Sequence, residues 1–175
     1  MMTDMLPRNL FERAAAIQLV ALDVDGVLTD SRIVYGSDAQ ETKAFNIKDG
    51  LGISLGVRSG LKFAIITARE SPMVSRRAKE LGIAHVIQNM RTKLPALEAL
   101  MKELQLEESQ VAYIGDDLPD LPCLERVGLP ACPGDAAREV RNICALVSDY
   151  PAGQGAVRQI IEFILDSKAM LTSAS

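Results

Sequence analysis

The sequence has few of the side chains on which several common chemistries depend. It contains a single histidine, His85, and three cysteines, none of them in a Cys-x-x-Cys spacing. His85 precedes an apolar pair of residues, which favours a structural role and disfavours histidine-based catalysis. The cysteines are best interpreted as reduced and mostly buried thiols, so they indicate neither a zinc site nor a disulfide framework: Cys123, Cys132 and Cys144.

Long apolar runs and an excess of positive charge are also lacking. The sequence has no stretch of 18 apolar residues and no signal-peptide pattern, so we expect a cytoplasmic protein that does not use a membrane. Lysine and arginine total 19 against 23 aspartates and glutamates, a net charge of −4, which disfavours nucleic acid as a partner. At 175 residues we expect a single domain over residues 1–175, with its core at about 9–168 and a loose tail at each end.

The most unusual segment follows an apolar run near the N-terminus. Residues 17–22 are typical of a buried strand, and the acidic sequence Asp-Val-Asp-Gly-Val-Leu-Thr-Asp follows at residues 23–30. Alternation along an extended chain puts Asp23 and Asp25 on the same side, where their charges repel unless a cation or a proton lies between them. Taken alone, however, such a pair is more often an acidic cap on a strand end.

The order of the remaining elements predicts an α/β fold, a parallel sheet with helices on both faces and a β-hairpin after the first strand. The hairpin is predicted at 32–45, turning at 36–40. Further strands are predicted at 62–66, 84–87, 110–114, 128–131 and 144–147. Helices are predicted at 10–16 with Asn9 as its cap, from Asp49 as cap to about 57, at 72–81 after Ser71, at 93–104, at 135–141 and at about 157–165 before a frayed polar tail.

Polar side chains follow three of the predicted parallel strands. Asp23 and Asp25 follow the first, Thr67 follows 62–66, and a Gly-Asp-Asp-Leu-Pro-Asp sequence at 115–120 follows 110–114. Ligands bind at the carboxyl ends of the strands in this architecture, so we expect these groups to converge on one site.

The convergent carboxylates predict a magnesium site. Asp23 and Asp116 are the expected side-chain ligands and Asp25 is expected to add its backbone carbonyl, because magnesium prefers oxygen ligands together with a phosphate oxygen. One carboxylate could then attack phosphorus, while the other protonates the leaving alcohol and activates water. Thr67 and Lys93 could bind the phosphoryl oxygens.

Each of these residues also has an ordinary structural interpretation. Thr67 alone is more often a helix cap, and Lys93 alone is more often a solvated surface residue. Asp117 and Asp120 could be acidic residues that stabilise a helix N-terminus. The combination of all these residues in this order favours the site.

Four motifs resemble those of the haloacid dehalogenase superfamily and, within it, of the phosphatases of 3-deoxy-D-manno-octulosonate 8-phosphate (KDO 8-phosphate), enzymes of lipopolysaccharide precursor synthesis. The motifs lie at 23–30, at 43–50 (Lys-Ala-Phe-Asn-Ile-Lys-Asp-Gly), at 115–120 and at 153–158. The resemblance implies an aspartyl-phosphate mechanism with Mg²⁺ and a capless homotetramer, in which the 32–45 hairpins assemble and a neighbour's C-terminal segment helps to cover the site. It also implies the residue roles: Asp23 nucleophile, Asp25 acid/base, Thr67 and Lys93 phosphate binding, Asp116 magnesium, Asp120 water-mediated magnesium contact, and Arg69 sugar-acid contact.

The sequence departs from the family pattern at three positions, where Ser31 and Ala68 replace glycines and Gln154 replaces an arginine. Two alternatives remain open. One is the related phosphatase of a nine-carbon sugar-acid 9-phosphate, although Arg69 favours the eight-carbon acid because a glutamate is expected there in the nine-carbon enzymes. The other is a non-catalytic oligomerisation module of a nucleotide-sugar synthetase.

Overall fold

A computed structural model describes residues 7–37 and 41–173. Its strands are β1 Leu19–Leu22, β2 Val34–Tyr35, β3 Glu41–Thr42, β4 Lys62–Ile66, β5 His85–Ile87, β6 Val111–Ile114, β7 Leu129–Cys132 and β8 Leu146–Val147. Its helices are α1 Arg8–Ala16, α2 Ile47–Arg58, α3 Pro72–Leu81, α4 Leu94–Glu103, α5 Leu121–Arg126, α6 Arg138–Ile143 and α7 Ala156–Ser173. Among the described helices, none is both long enough and apolar enough to cross a membrane.

Six of the strands form one sheet in the order β5-β4-β1-β6-β7-β8, and every adjacent pair is parallel. The predicted α/β fold class is therefore confirmed. Leu22 of β1 lies opposite Ile65 of β4 and Ile114 of β6. The carboxyl ends of these three strands consequently meet at one edge of the sheet.

Alternation along the central strand explains why helices cover both faces. Val20 and Leu22 belong to the apolar cluster that includes residues of α1, α2, α3 and α7. Leu19 and Ala21 belong to the cluster that includes residues of α4, α5 and α6. Because both sets of alternate side chains are apolar and fully buried, β1 is stable only when helices pack on both of its faces.

The predicted hairpin is present but short. Val34 pairs with Thr42 and Tyr35 with Glu41 in an antiparallel arrangement of two-residue strands. Part of the predicted turn, residues 38–40, lies outside the described residues, as do residues 1–6 of the predicted N-terminal tail and residues 174–175. Three large hydrophobic residues of the hairpin segment are exposed: Ile33, Val34 and Tyr35.

Several predicted helix ends were wrong. Helix α1 begins at Arg8 after Pro7, with no side-chain cap, so Asn9 lies inside the helix. Helix α6 begins at Arg138, and α7 continues to Ser173 instead of fraying after residue 165. Ser71 does precede α3, but its side chain makes no cap bond.

Asp49 was wrongly predicted as the cap of α2. Asn46 caps that helix, since its side chain accepts a hydrogen bond from the Lys48 amide at 2.7 Å. Asp49 is buried and accepts from the Gly155 amide at 3.2 Å and the Arg158 amide at 2.9 Å. It therefore satisfies the free amides at the start of α7, a helix more than 100 positions away in the sequence.

We predict that Asp49→Ala lowers the free energy of unfolding by about 1–2 kcal/mol, the usual effect of removing a helix cap. Asp49→Asn is expected to cost less, because the amide keeps one acceptor and burial raises the pKa of the Asp49 carboxyl, which shows that its charge is costly there. Urea unfolding measures both effects. Asp166→Ala, on the exposed side of α7, is the control, and an equal loss in Asp166→Ala and Asp49→Ala would contradict the capping role.

Candidate active site

The chain turns sharply after β1. The Asp23 amide still donates to the Ile114 carbonyl at 3.0 Å, which keeps Asp23 in line with the sheet. The amides of Leu28 and Thr29 then both donate to the Val24 carbonyl, so residues 24–29 form a compact turn. We call the whole segment at residues 23–30, which contains this turn, the acid turn. It fixes Asp23 at the carboxyl end of the central strand.

Three carboxylates from two strand ends meet beside the acid turn. Asp23, Asp116 and Asp120 each offer an oxygen, and these oxygens lie within 4.8 Å of one another. The approach of Asp116 requires a glycine at position 26, whose φ is 87°. A Cβ atom built on Gly26 would lie only 1.9 Å from Asp116 Oδ2.

Lys93 joins two of these carboxylates. It precedes α4, and its Nζ lies 2.6 Å from Asp23 Oδ2 and 2.7 Å from Asp120 Oδ1. The side chain is only 2% exposed, so the ordinary interpretation as a solvated surface lysine was wrong. Burial disfavours its charge, but the fields of Asp23 and Asp120 outweigh that effect and raise the pKa of Lys93. The lysine therefore remains a cation.

Each oxygen of the Asp120 carboxylate accepts two hydrogen bonds. Its Oδ1 accepts from Lys93 and from the Tyr113 hydroxyl at 2.8 Å. Its Oδ2 accepts from the amides of Asp116 at 3.0 Å and Asp117 at 3.4 Å. Asp120 consequently orients Lys93 and the loop that carries Asp116. Asp117 accepts from the Leu118 amide at 2.8 Å, which confirms its interpretation as a helix-terminal acid.

Sequence reasoning missed Tyr113. Its buried hydroxyl donates to Asp120 Oδ1 and so helps to fix that carboxylate. The available signal was a tyrosine in an otherwise apolar, completely buried strand, because a buried hydroxyl needs a hydrogen-bond partner.

The pKa values of the two remaining carboxyls reflect their crowding. Burial raises the pKa of Asp23 to about 6, with Lys93 opposing and Asp120 adding to the rise. Burial, with the negative charges of Asp120 and Asp23, raises the pKa of Asp116 to about 8. Both directions mean that the ionised carboxylates lack positive charge at the point where they converge.

This set of donors fits a hard divalent cation such as Mg²⁺. Asp23, Asp116 and Asp120 each offer an oxygen that could hold it. The direct ligation by Asp23 and Asp116 and the water-mediated contact of Asp120 stay predictions. Within residues 7–37 and 41–173, the Asp116 carboxylate makes no hydrogen bond or ion pair that would have to be broken. The Asp25 carboxylate lies outside this cluster, and the contribution of its backbone carbonyl stays a prediction.

Asp25 instead faces the hairpin. Lys43 Nζ contacts Asp25 Oδ1 and lies 3.1 Å from Glu41 Oε1. Arg69, after β4, contacts Glu41 Oε2 and has its Nε 3.7 Å from Asp25 Oδ2. These four residues form a charge-balanced group, which we call the hairpin network. Sequence reasoning identified Asp25 and Arg69 but missed Lys43 and Glu41.

Comparisons with known proteins identify the family to which the chain belongs. A model of the haloacid dehalogenase-like hydrolase family matches residues 82–161. Over 167 residues the chain is 40% identical to the KDO 8-phosphate phosphatase of Yersinia pestis, covering 95% of this chain and 89% of that protein. The KDO 8-phosphate phosphatase of Moraxella catarrhalis, solved in complex with magnesium, phosphate and KDO, matches with a TM-score of 0.90 and 43% identity, covering 95% of this chain and 98% of that one. The chain belongs to this phosphatase family.

Thr67 directly follows β4, at the carboxyl end of the sheet where the site lies. It is buried, its amide donates to the Ile87 carbonyl at 3.0 Å, and its carbonyl accepts from the Met90 amide at 3.0 Å. Ser71, not Thr67, precedes α3. The interpretation of Thr67 as a helix cap was therefore wrong, and its role in binding phosphate stays a prediction.

The loop before α7 packs against the acid turn. The Gly153 amide donates to the Val27 carbonyl at 3.2 Å, and Asn46 Nδ2 donates to the Gly153 carbonyl at 2.9 Å. A Cβ atom on Gly153 would lie 2.9 Å from the backbone of Thr29. The motif at 153–158 therefore packs against the acid turn through Gly153. The next residue, Gln154, is the one that replaces an arginine of the family pattern.

We predict that Gly26→Ala weakens Mg²⁺ binding by at least about tenfold, because the new methyl group displaces Asp116. Gly60→Ala is a matched control, since Gly60 has a similar φ of 89° but nothing within 4 Å of the added Cβ. Both variants carry the strain of alanine at positive φ, about 1–2 kcal/mol. Isothermal calorimetry with Mg²⁺ and thermal unfolding separate the two effects. Equal Mg²⁺ affinity in the two variants would show that Asp116 is not a ligand.

Proposed function

We propose that this chain is a magnesium-dependent phosphatase that hydrolyses KDO 8-phosphate to KDO and phosphate through an aspartyl-phosphate intermediate, in lipopolysaccharide precursor synthesis. The observation that carries the proposal is the meeting of Asp23, Asp116 and Lys93 at one strand edge. The names and the bound molecules of the relatives support the choice of substrate.

Asp23 and Asp116 would hold the Mg²⁺ ion, and Asp120 would keep their loop and Lys93 in place. The bound cation would supply the positive charge that offsets the crowding of the carboxylates and of the phosphoryl oxygens. Lys93 supplies a permanent positive charge against Asp23 Oδ2. This charge lowers the repulsion between a phosphate dianion and the anionic nucleophile.

Asp23 is the proposed nucleophile. Its Oδ1 accepts from the Val24 amide at 2.7 Å and its Oδ2 lies against Lys93, so the carboxylate has a fixed orientation. One of its oxygens attacks phosphorus, and the ester bond to the sugar oxygen breaks. Asp25, which must enter this step protonated, donates its proton to that oxygen, which releases KDO and leaves an acyl phosphate on Asp23.

Hydrolysis of the acyl phosphate reverses the direction of proton transfer. Asp25 takes a proton from a water molecule, which attacks phosphorus and releases inorganic phosphate and the free Asp23 carboxylate. Thr67 and Lys93 are proposed to hold the phosphoryl oxygens through both steps. Asp25 is restored to its starting state, since it has lost one proton and gained one.

Arg69 is the proposed contact for the carboxylate of the sugar acid. Its guanidinium lies next to Asp25, which places a cation beside the proposed position of the leaving alcohol. It is already paired with Glu41, so a substrate carboxylate would have to compete with, or share, that partner. This position is where the eight-carbon and nine-carbon substrates are expected to be distinguished.

We predict that Asp23→Asn lowers the rate of phosphate release by at least about 10³-fold, because an amide cannot form the covalent intermediate. The assay measures phosphate release from KDO 8-phosphate and from a nine-carbon sugar-acid 9-phosphate, with Mg²⁺ and with EDTA. Asp166→Asn is the control for a change of charge on an exposed carboxylate. A higher kcat/KM for the nine-carbon substrate would reject the assignment of KDO 8-phosphate, and phosphate release by Asp23→Asn at the wild-type rate would reject the nucleophile.

We also propose that the chain is a single capless domain that works in the cytoplasm and assembles as a homotetramer through the 32–45 hairpin. The described residues between 69 and 92 form only one helix and one strand, which leaves no room for a cap there. A hairpin of two-residue strands is marginal when isolated, and its exposed apolar side chains support burial against another subunit.

We predict that Val34→Lys lowers the molecular mass of the assembly in solution. Val34 is 53% exposed in the chain, so the isolated fold tolerates a lysine there, whereas an interface would have to bury its charge. Light scattering after size exclusion measures the mass. Ile143→Lys, at a 37% exposed position on α6, is the control. An unchanged mass for Val34→Lys would reject the hairpin as the interface.

A further inference from the structure

The Lys43 side chain is unusual because it is buried outside the cluster that could hold a metal. Only 2% of the side chain is exposed, although Lys43 follows a two-residue edge strand on the surface. A lysine loses considerable hydration energy when it is buried and remains charged only when carboxylates compensate for that loss. Its partners are Asp25 and Glu41. A hairpin that only needed an anchor could use an apolar side chain at this position.

The contacts of Lys43 determine how Asp25 is oriented. Lys43 Nζ contacts Asp25 Oδ1, and Arg69 Nε lies 3.7 Å from Asp25 Oδ2. Two cations from different parts of the chain therefore lie beside the Asp25 carboxyl, Lys43 in hydrogen-bond contact and Arg69 beyond hydrogen-bond distance. The Lys43 contact is the closer of the two, so the lysine contributes most of the constraint on the rotation of this carboxyl.

Glu41 keeps the two cations in place. Its Oε1 faces Lys43 and its Oε2 faces Arg69, and both hydrogen bonds outweigh burial and lower the pKa of Glu41. When Asp25 is ionised, the state in which it takes a proton from water, the hairpin network contains two positive and two negative groups. Removal of Lys43 leaves Arg69 to share two carboxylates, which frees Asp25 to turn away from the site.

We propose that Lys43 is a positioning residue that orients Asp25 for proton transfer. The inference rests on the proposed function, in which Asp25 is the acid and base. Lys43 has no contact with Asp23, Asp116 or Asp120 among its contacts in the described residues, so it acts on proton transfer without taking part in metal binding. General acid–base catalysis requires the proton donor to lie within hydrogen-bond reach of the reacting oxygen. Lys43 helps Asp25 to meet that requirement by fixing the orientation of its carboxyl.

The test is a double-mutant cycle between Lys43→Met and Asp25→Asn, with phosphate release from KDO 8-phosphate as the readout. Lys43→Met is expected to lower kcat about 100-fold, at the lower end of the effect of general acid–base catalysis, with KM changed less than about threefold. In the Asp25→Asn background the same substitution is expected to lower kcat by less than about threefold, because residues that act as a unit are not additive. Lys43→Arg is expected to recover at least about tenfold of the loss.

Two controls separate this role from a structural one. Lys62→Met, at an exposed position where β4 begins at the opposite edge of the sheet, is expected to match the wild type. Calorimetry is expected to show Mg²⁺ affinity within about twofold of the wild type for Lys43→Met. If Lys43→Met does not fold, Lys43→Gln keeps a polar group there and is expected to lose at least about tenfold in kcat.

The possible outcomes distinguish the two proposals. A wild-type chain that releases no phosphate contradicts the proposed function, and the positioning role with it. An active wild type with unchanged kcat in Lys43→Met contradicts the positioning role alone. An equal loss of kcat in the wild-type and Asp25→Asn backgrounds, or a loss confined to KM, also contradicts it, because Lys43 would then act independently of Asp25.

Discussion

The repulsion among carboxylates at the end of the central strands is the constraint on which the rest of the structure depends. Asp23 and Asp116 are brought together because β1 and β6 are parallel neighbours that end at the same level. Burial makes this repulsion stronger, as the raised pKa values of both groups show. Lys93 and the amides that bind Asp120 offset part of it. A divalent cation would neutralise the repulsion that is left. The fold therefore lacks positive charge at the same place where the proposed chemistry needs a cation.

Local sequence patterns were sufficient for the sheet and for the groups at its edge, because both depend on short-range information. Alternating strands and helices specify the parallel sheet, and a residue that follows a strand, such as Thr67, must lie at the carboxyl edge. The partners of those residues depend on contacts that no periodicity encodes. Lys43 reaches Asp25 across 18 positions and Glu41 reaches Arg69 across 28. Helix ends failed for a related reason, because a carboxylate near one helix start can cap a different helix, as Asp49 does.

The motif that contains Asp49 links stability to the site. Asn46 and Asp49 lie three residues apart, and they bind the Gly153 carbonyl and the start of α7 respectively. The same loop donates the Gly153 amide to Val27 in the acid turn. The acid turn, which carries the proposed nucleophile Asp23, is therefore connected through this loop to α7, a long helix that packs on α1 and α2. This explains in physical terms why sequence motifs so far apart occur together in one chain.

The hairpin has two sides with opposite demands. Its inner side carries Lys43 and Glu41, which pair with each other and with Asp25 and Arg69 respectively. Its outer side carries the exposed Val34, whose apolar side chain adds no ionic restraint. Two-residue strands are too short to hold a fixed position alone, so the ionic contacts determine where the hairpin lies. The orientation of Asp25 is therefore coupled to the position of the hairpin. A partner that binds the outer side of the hairpin and fixes its position would also fix the orientation of Asp25, the proposed proton donor.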